Sequence, residues 1–409
     1  MPEDLEEART KQEAAKIRSG YYGVWARCRN IPLDEAIQKI ENGDKYIIRL
    51  KSQGREDRKI KHHDLIKGNI ELPENDQDIV IIKADGLPTY HFAHVVDDHL
   101  MRTTHVIRGD EWVSSIPIHM ELFRVLGFKP PKYAHTATIM KDENGSRRKI
   151  SKRKDPEAAV EFYHEEGIPA PAVTEYLLNI ANSNFEGWRK ANPDKSIDEF
   201  DFQLNKMNVS GAVFDIVKLL DVSKTIISKY TGEEIYNEAS EWADVYDKEL
   251  KILLEKNKEY SIRVLNIERG NVKPRKDISK WSDVKNNIIY MYDDEFTKNT
   301  DYEFQKITDK KEIETILNKY MKNYFDISDD KETWFNKIKG LSEELGYARE
   351  VKDYKLEPEK YKGHVGDIST VIRVAVTGRC NTPDLYEIMQ VLGNDRVRGR
   401  IQLYLEEQN

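Results

Sequence analysis

The residues THVIRGDEWVSSIPIHMELFRVLG, at positions 104–127, decide the fold of the first half of this chain. Their β-branched and apolar start predicts a strand that runs into a polar turn. Ser114 or Ser115 can cap the helix that the following apolar residues predict, and Gly127 can end it. A strand, a polar turn and a capped helix form half of a βαβ unit, so an α/β sheet is expected here.

Polar side chains follow directly after this predicted strand. Ligands of α/β sheets bind at the carboxyl ends of strands, so Arg108, Asp110, Glu111 and Trp112 stand where a site is expected. An arginine there can hold a carboxylate bidentately. It can equally pair with Asp110 or Glu111 for structural reasons, and the residues alone favour neither interpretation.

Two further strands and a turn are predicted upstream. Residues 79–82, IVII, predict a strand, residues 84–88 a turn, and residues 89–96, TYHFAHVV, another strand. The spacing of His91 and His94 suggests a metal site. In a strand, however, these two side chains would point to opposite faces, which favours a half-buried strand over a metal site.

A basic segment, SRRKISKRK at positions 146–154, has six basic residues in nine and no acid. Asp155 and Pro156 predict the N-cap and first residue of a helix. A mobile loop rich in lysine and serine at a helix entrance suits a polyphosphate. The alternative is a solvated loop or a nonspecific RNA-binding patch, and composition alone favours this alternative.

Composition limits the class of protein. The chain has a net charge of −8, and its length of 409 residues suggests two to four domains. It contains no apolar run long enough for a membrane span and no signal peptide, so we expect a cytoplasmic protein. Cys28 and Cys380 lie too far apart in sequence for a disulfide framework or a four-cysteine zinc site. The acidic total does not exclude nucleic acid as a partner, since basic residues cluster.

Helix breakers are unevenly distributed. Residues 1–193 contain 11 of the 14 prolines, whereas residues 194–357 contain one proline and five glycines. This distribution predicts mixed strands, turns and helices first and a helical region later.

Taken in order, these segments resemble the bacterial glutamyl-tRNA synthetases, a class I family. The resemblance covers essentially all 409 residues and includes DGLPTYHFAHVVDDHLMRTTHVIRGDEW (85–112), NSNFEGWR (182–189) and VIRVAVTGRCNTPDLYEIMQVLG (371–393). The sequence KISKR (149–153) is similar to the family's KMSKS-type loop. Residues 206–224 also resemble the family.

The resemblance implies a multidomain chain. Its α/β N-terminal part would be a partial class I Rossmann fold with an acceptor-binding insertion, and an all-α anticodon-binding region would follow. The implied domains are a partial acceptor-stem-binding insertion (1–90), the second half of the Rossmann catalytic domain (91–143), a stem-contact region with the KISKR loop (144–240), and helical anticodon-binding domains 1 (241–325) and 2 (326–409).

The resemblance also implies the chemistry. Glutamate is activated by ATP and Mg²⁺ to glutamyl-adenylate and is then transferred to the 3′ end of tRNA-Glu, in a monomer that uses no protein-bound metal or zinc and no membrane. Charging of tRNA-Gln stays open. Catalytic roles are implied for Lys152, Lys149 and Ser151, ATP contacts for Lys152, Ile150 and Arg153, and glutamate contacts for Tyr90, Arg108 and Trp112. His94 stands where family members often have Asn.

One family feature is missing from the sequence, the HIGH-type signature that contacts ATP. GHVG at 363–366 lies in a segment that resembles the last helical domain. We therefore expect a chain that lacks the upstream part and does not catalyse glutamate-dependent ATP–pyrophosphate exchange alone. The alternative function is tRNA binding without catalysis.

The end of the chain is rich in arginine. The resemblance places anticodon recognition here, near Arg373, Arg379, Arg396, Arg398 and Arg400. For the last three, a solvated helix face is the simpler interpretation.

Overall fold

A computed structural model describes residues 2–299 and 301–407 as two compact units. One unit contains the residues up to Ile150 together with Leu177–Phe214, and the other contains Ser151–Tyr176 and the residues from Asp215 onward. The five-part division implied by the resemblance stays a prediction.

The first unit contains every strand found in the described residues. Its elements before residue 150 are α1 (Pro2–Ala14), α2 (Leu33–Glu41), β1 (Ile48–Arg49), β2 (Lys59–Asp64), β3 (Gly68–Pro73), β4 (Val80–Ile82), α3 (Tyr90–Leu100), β5 (His105–Gly109), α4 (Ile116–Leu126), β6 (Lys132–Thr136), β7 (Met140–Glu143) and β8 (Ser146–Lys149). Strands β5 and β6 are parallel, while β1–β4, β2–β3 and β7–β8 are antiparallel pairs.

The βαβ unit predicted from residues 104–127 is confirmed. Strand β5 leads through a short 3₁₀ turn into α4, which returns the chain to the parallel strand β6. Gly127 ends α4 with φ 72°, in the left-handed conformation expected of a terminal glycine. Ser115 occupies the N-cap position, but its side chain makes no capping hydrogen bond.

The strand predicted over residues 89–96 is wrong. These residues begin α3, and the predicted strand at 79–82 and the turn after it are confirmed. The helix forms because Phe92 and Val95, three residues apart, pack on one side against a small core with Leu122 and Phe123. His91 and His94 therefore lie on neighbouring positions of one helix face, and the argument that separated them fails.

Four of the nine residues of the basic segment form a strand rather than a loop. Ser146–Lys149 pairs with Met140–Glu143 in an antiparallel hairpin. Asn144 and Gly145 connect them with φ values of 56° and 84°. Positive φ at both central residues is the geometry of a type I′ turn, which Asn-Gly favours. This dipeptide was the available sequence signal for the hairpin.

The second unit is helical, as the shortage of proline and glycine predicted. Helix α6 (Ala170–Ala181) has residues assigned to each unit, and α7 (Phe185–Ala191) belongs to the first. The other helices are α5 (Val160–Glu166), α8 (Ile216–Ile227), α9 (Gly232–Tyr246), α10 (Lys248–Glu255), α11 (Lys258–Leu265), α12 (Val284–Ile288), α13 (Asp293–Asn299), α14 (Lys310–Lys319), α15 (Lys331–Glu344), α16 (Val351–Leu356), α17 (Val365–Thr377), α18 (Leu385–Leu392) and α19 (Asn394–Glu407).

One large hydrophobic core contains residues of most helices from α8 onward, with Trp281, Tyr320, Ile338 and Ile372 among its buried members. His364, from the GHVG sequence, caps α17 in a capping box. No helix of the described residues has the length and hydropathy needed to cross a membrane.

The arginines of α19 point into the protein. Arg396 donates to the Met291 carbonyl, and Arg398 donates to the carbonyls of Met321 and Phe325. Arg400 is 4% exposed. The interpretation of these three residues as a solvated helix face is therefore wrong, since each makes internal contacts.

We predict that Arg400→Met lowers the free energy of unfolding by about 3 kcal/mol. The Arg400 guanidinium binds Asp293 Oδ1 at 2.8 Å and the carbonyl oxygens of Tyr290 and Val376 at 2.9 Å each. Methionine would leave those two carbonyls without this donor. Urea unfolding measures the change.

Arg349→Met is the matched control. This arginine is exposed and reaches Glu343 only at 3.5 Å, so we expect a loss below about 0.5 kcal/mol. Equal losses in the two variants would contradict a structural role for Arg400.

Candidate functional site

The guanidinium of Arg108 lies at the carboxyl end of β5, among aromatic and imidazole rings. Its Nε donates to His135 Nε2 at 2.9 Å, and its Nη2 donates to the Trp112 carbonyl at 3.3 Å. Nη1 lies 3.3 Å from His119 Nδ1, and the guanidinium carbon lies 4.8 Å from the centre of the Tyr133 ring. Neutral groups thus surround the positive charge.

The carboxylates next to Arg108 in sequence bind other cations. Asp110 contacts Lys67 Nζ at 3.2 Å and accepts from Thr138 Oγ1 at 2.9 Å, and Glu111 contacts Lys149 Nζ at 3.0 Å. Within the described parts of the chain, no carboxylate pairs with Arg108. The structural interpretation of Arg108, as a partner of Asp110 or Glu111, is therefore wrong.

Tyr90 and Trp112 lie beside this guanidinium. Their ring centres are 4.6 Å apart, and the guanidinium carbon of Arg108 is 6.0 Å from the Trp112 ring. Tyr90 is 47% exposed, and its hydroxyl makes no hydrogen bond to another described residue. The structure therefore brings the three predicted glutamate contacts together, with one hydroxyl donor and a guanidinium available to a ligand.

His94 uses both ring nitrogens inside the protein. Nε2 lies 2.9 Å from the Tyr133 hydroxyl, and Nδ1 lies 3.2 Å from Asp98 Oδ2. Burial raises the pKa of Tyr133, so its hydroxyl stays protonated and donates to Nε2. The side chain at this position is therefore flanked on both sides by polar groups of the protein.

Four buried or half-buried imidazoles surround this site: His91, His94, His119 and His135. Burial lowers the pKa of each, and that of His119 falls to about 2, with smaller contributions from the neighbouring imidazoles and Arg108. All four rings are therefore neutral at pH 7. In the described residues, no group of three or more His, Cys, Asp and Glu side chains is arranged to hold a metal ion.

These imidazoles predict how stability depends on pH. Their folded pKa values lie below the unfolded value of about 6.5, so the unfolded chain binds more protons once the pH falls below that value. The free energy of unfolding should decrease as the pH falls from about 7 to about 5. Each fully neutral histidine contributes a slope of up to about 1.4 kcal/mol per pH unit.

Urea unfolding at several pH values tests this prediction. His119→Gln should reduce the slope by one such contribution, whereas the exposed His105→Gln should leave it unchanged. The prediction fails if His119→Gln and His105→Gln have the same slope.

The KISKR residues belong to both units. Lys149 and Ile150 lie in the first, where Lys149 Nζ contacts Glu111 and the Ile150 amide donates to the Ile139 carbonyl at 3.1 Å. In the second, the Ser151 amide donates to Asp155 Oδ2 at 2.8 Å. Asp155 occupies the predicted N-cap position, but its side chain closes a turn at Ser151 and makes no capping hydrogen bond.

Pro156 begins the next element as predicted, but that element is not an α-helix. Pro156–Ala158 form a single 3₁₀ turn, and α5 begins only at Val160. Lys152 and Arg153 are exposed, and neither side chain has a partner among the described residues. Two positive charges are therefore available to an anionic ligand.

Sequence reasoning missed the groups that surround Arg108. Tyr133 and His135 lie on β6, and His135 is opposite Arg108 in the parallel register. The signal was present in KYAHT, which follows α4 at a spacing typical of the second strand of a βαβ unit. Asp64 and His119 carried no separate signal, because only packing brings them to the site.

Comparison with known families defines the class of protein. Residues 1–221 match the family described as tRNA synthetases class I (E and Q), catalytic domain, and residues 357–405 match the family described as anticodon binding domain. An α/β catalytic part followed by helices, as predicted, is therefore confirmed.

Similar proteins identify the family within that class. The chain is 50% identical over 405 residues to a glutamate–tRNA ligase of Clostridium perfringens and 48% identical over 407 residues to one of Clostridium beijerinckii. It covers 73% of each of these two proteins, and they match 98% and 99% of it. The chain belongs to the glutamate–tRNA ligase family.

A solved structure has the same fold. The crystal structure of a glutamate tRNA ligase from Elizabethkingia meningosepticum, in complex with its amino acid, matches with a TM-score of 0.74 at 23% identity. The match covers 100% of this chain and 78% of that one.

Proposed function

We propose that this chain serves glutamate–tRNA ligation, in which glutamate is activated with ATP to glutamyl-adenylate and passed to the 3′ end of tRNA-Glu. The family to which the chain belongs supports the reaction. The observation that carries the proposal is the guanidinium of Arg108, which lies at a strand end beside Tyr90 and Trp112 and has no carboxylate partner among the described residues.

A carboxylate of glutamate would bind at Arg108. The Nε of this residue is engaged by His135, so the two Nη groups would form the bidentate fork. Their present contacts, to His119 and the Trp112 carbonyl, are long at 3.3 Å and neutral. Tyr90 would donate a hydrogen bond from its free hydroxyl, and the Trp112 ring would border the ligand.

The KISKR residues would bind ATP. Lys152 would neutralise its phosphates, assisted by Arg153 and by the turn at Ser151, and Ile150 would border the nucleotide. Lys149 is held by Glu111 in an exposed ion pair, which contributes little and can be exchanged for a phosphate contact. Lys152, Lys149 and Ser151 are therefore the proposed catalytic residues.

No protein nucleophile is needed for either step. The α-carboxylate of glutamate attacks the α-phosphate of ATP and pyrophosphate leaves; a terminal hydroxyl of the tRNA then attacks the activated carbonyl and AMP leaves. Positioning and charge neutralisation carry the rate. Mg²⁺ would arrive with ATP, and we assign it and zinc no protein ligands.

The proposal includes a cytoplasmic monomer that contacts tRNA through its helical unit. Residues 357–405, which match an anticodon binding domain, support this part. Whether tRNA-Gln is also charged depends on which anticodon bases are read, so both tRNAs belong in the test.

Binding experiments on the purified chain test the proposal. Isothermal titration should detect glutamate binding that Arg108→Ala removes, and filter binding should detect tRNA-Glu. Binding of tRNA without glutamate would instead support the alternative, a tRNA-binding protein without catalysis. Pyrophosphate exchange by the 409-residue chain alone would contradict the separate expectation that an HIGH-type signature is required.

A further inference from the structure

A chain of buried polar groups leads from a hairpin to Arg108. Asp64, the last residue of β2, and His135, on β6, are both 0% exposed. Asp64 Oδ2 lies 2.6 Å from His135 Nδ1, and His135 Nε2 accepts from Arg108 Nε at 2.9 Å. Two strands and one hairpin thus meet at the group proposed to bind glutamate.

The direction of each hydrogen bond follows from the chemistry of arginine. Arginine Nε always carries a hydrogen and never accepts, so His135 Nε2 must be the acceptor. The imidazole is neutral, because burial lowers the pKa of His135 despite the nearby carboxylate. Its one hydrogen therefore lies on Nδ1 and is donated to Asp64.

Asp64 is fixed in turn by the hairpin backbone. Its Oδ1 accepts from the amides of Ile66 and Lys67 at 2.9 Å each, and the His135 amide lies 3.2 Å from Oδ2. Burial alone would raise the pKa of Asp64, but the hydrogen bonds from Lys67, His135 and Ile66 outweigh it and lower the pKa. The carboxylate therefore stays ionised.

We propose that Asp64 and His135 are positioning residues for Arg108. The Asp64 carboxylate selects the Nδ1–H tautomer of His135, whose free Nε2 lone pair then holds Arg108 Nε and leaves both Nη groups for a substrate carboxylate. The hairpin β2–β3 is thereby coupled to Arg108 at the end of β5. This inference rests on the proposed binding of glutamate at Arg108.

Arg108 needs positioning because no carboxylate of the described residues holds its guanidinium. A guanidinium without a carboxylate partner keeps much of the side-chain rotamer entropy that an ordered one has lost. Fixing Nε before the ligand arrives removes part of that cost from binding. A lysine could not replace this arrangement, since it has no Nε–H that is separate from its ligand-binding group.

Asp64→Asn is a selective test because the structure dictates how the amide must lie. The Ile66 and Lys67 amides both donate to Oδ1, so the asparagine oxygen must take that place. Its NH₂ group then faces His135 Nδ1 and forces that nitrogen to accept. The hydrogen moves to Nε2, where it opposes the Nε–H of Arg108.

Nitrogen-15 NMR of histidine-labelled protein reads the tautomer directly. In the unaltered chain, we expect His135 to show the Nδ1–H form between about pH 7 and about pH 8. Asp64→Asn should change it to Nε2–H and weaken glutamate binding about 10- to 100-fold. Asp57→Asn, which removes an exposed carboxylate of the same unit, should change neither.

His135→Phe keeps a ring but removes both hydrogen bonds, and should weaken glutamate binding similarly. His63→Phe, on the exposed face of β2, is its matched control. If a variant fails to fold, the tautomer of His135 in the unaltered chain still tests the proposal. An Nε2–H or protonated His135 in the unaltered chain would overturn it.

The two proposals fail in different ways. An unaltered chain that shows the Nδ1–H tautomer but binds no glutamate would refute the proposed function. A change of tautomer in Asp64→Asn with unchanged glutamate affinity would refute the positioning role alone.

Discussion

Arg108→Ala should raise the dissociation constant for glutamate about 100-fold or more, and Arg108→Lys should not restore it. Removing one partner of a desolvated charge pair costs about 2–5 kcal/mol. An ammonium can supply charge but cannot supply a planar fork together with a separate bond to His135 Nε2. Isothermal titration with glutamate measures both variants.

A second ligand makes this test specific. The affinity for ATP should change little in either variant, because the Arg108 contacts do not include the KISKR residues. Full glutamate affinity in Arg108→Lys would show that this arginine needs only its charge. In that case, its bond to His135 would be structural.

Lys152→Ala should reduce the rate of glutamate-dependent ATP–pyrophosphate exchange about 10²–10³-fold, judging from the loss of a comparable charge-stabilising donor. Its ammonium is exposed and has no partner among the described residues, so its charge is available to the phosphates. The measurement requires a ligase that contains this chain together with an HIGH-type signature.

The same variant should bind tRNA almost normally. One lysine among many phosphate contacts changes tRNA affinity only slightly and lowers the salt dependence by about one charge. Lys154→Ala, which removes the same charge two residues away, is the matched control and should change the exchange rate little. Loss of tRNA affinity with an unchanged exchange rate would show that the basic segment is a nucleic-acid patch.

The carboxylates that neighbour Arg108 in sequence do not indicate its role. Asp110 and Glu111 lie within three residues of Arg108, yet their partners are Lys67 and Lys149. A charge pair depends on side-chain direction and distance in space. The sequence alone therefore could not decide whether Arg108 binds a ligand carboxylate or pairs with Asp110 or Glu111.

Several elements were predictable because their signals are local. The β-branched and apolar residues, Gly127 and the polar turn after Gly109 were sufficient for β5 and α4. The shortage of proline and glycine after residue 193 was sufficient for a helical region. Tyr90, Arg108 and Trp112 were named through the resemblance, and the structure brings these three side chains together.

The sequence by itself therefore determined the family, the βαβ unit and the helical second half, since motifs and periodicity act over short distances along the chain. Only the tertiary structure decided that residues 90–100 form a helix, because packing of Phe92 and Val95 overrides the strand propensity of aromatic and β-branched residues. It alone also placed Asp64 and His135 behind Arg108. These residues are separated by 27 or more positions, and hydrogen bonds between such distant residues depend on which strands become neighbours.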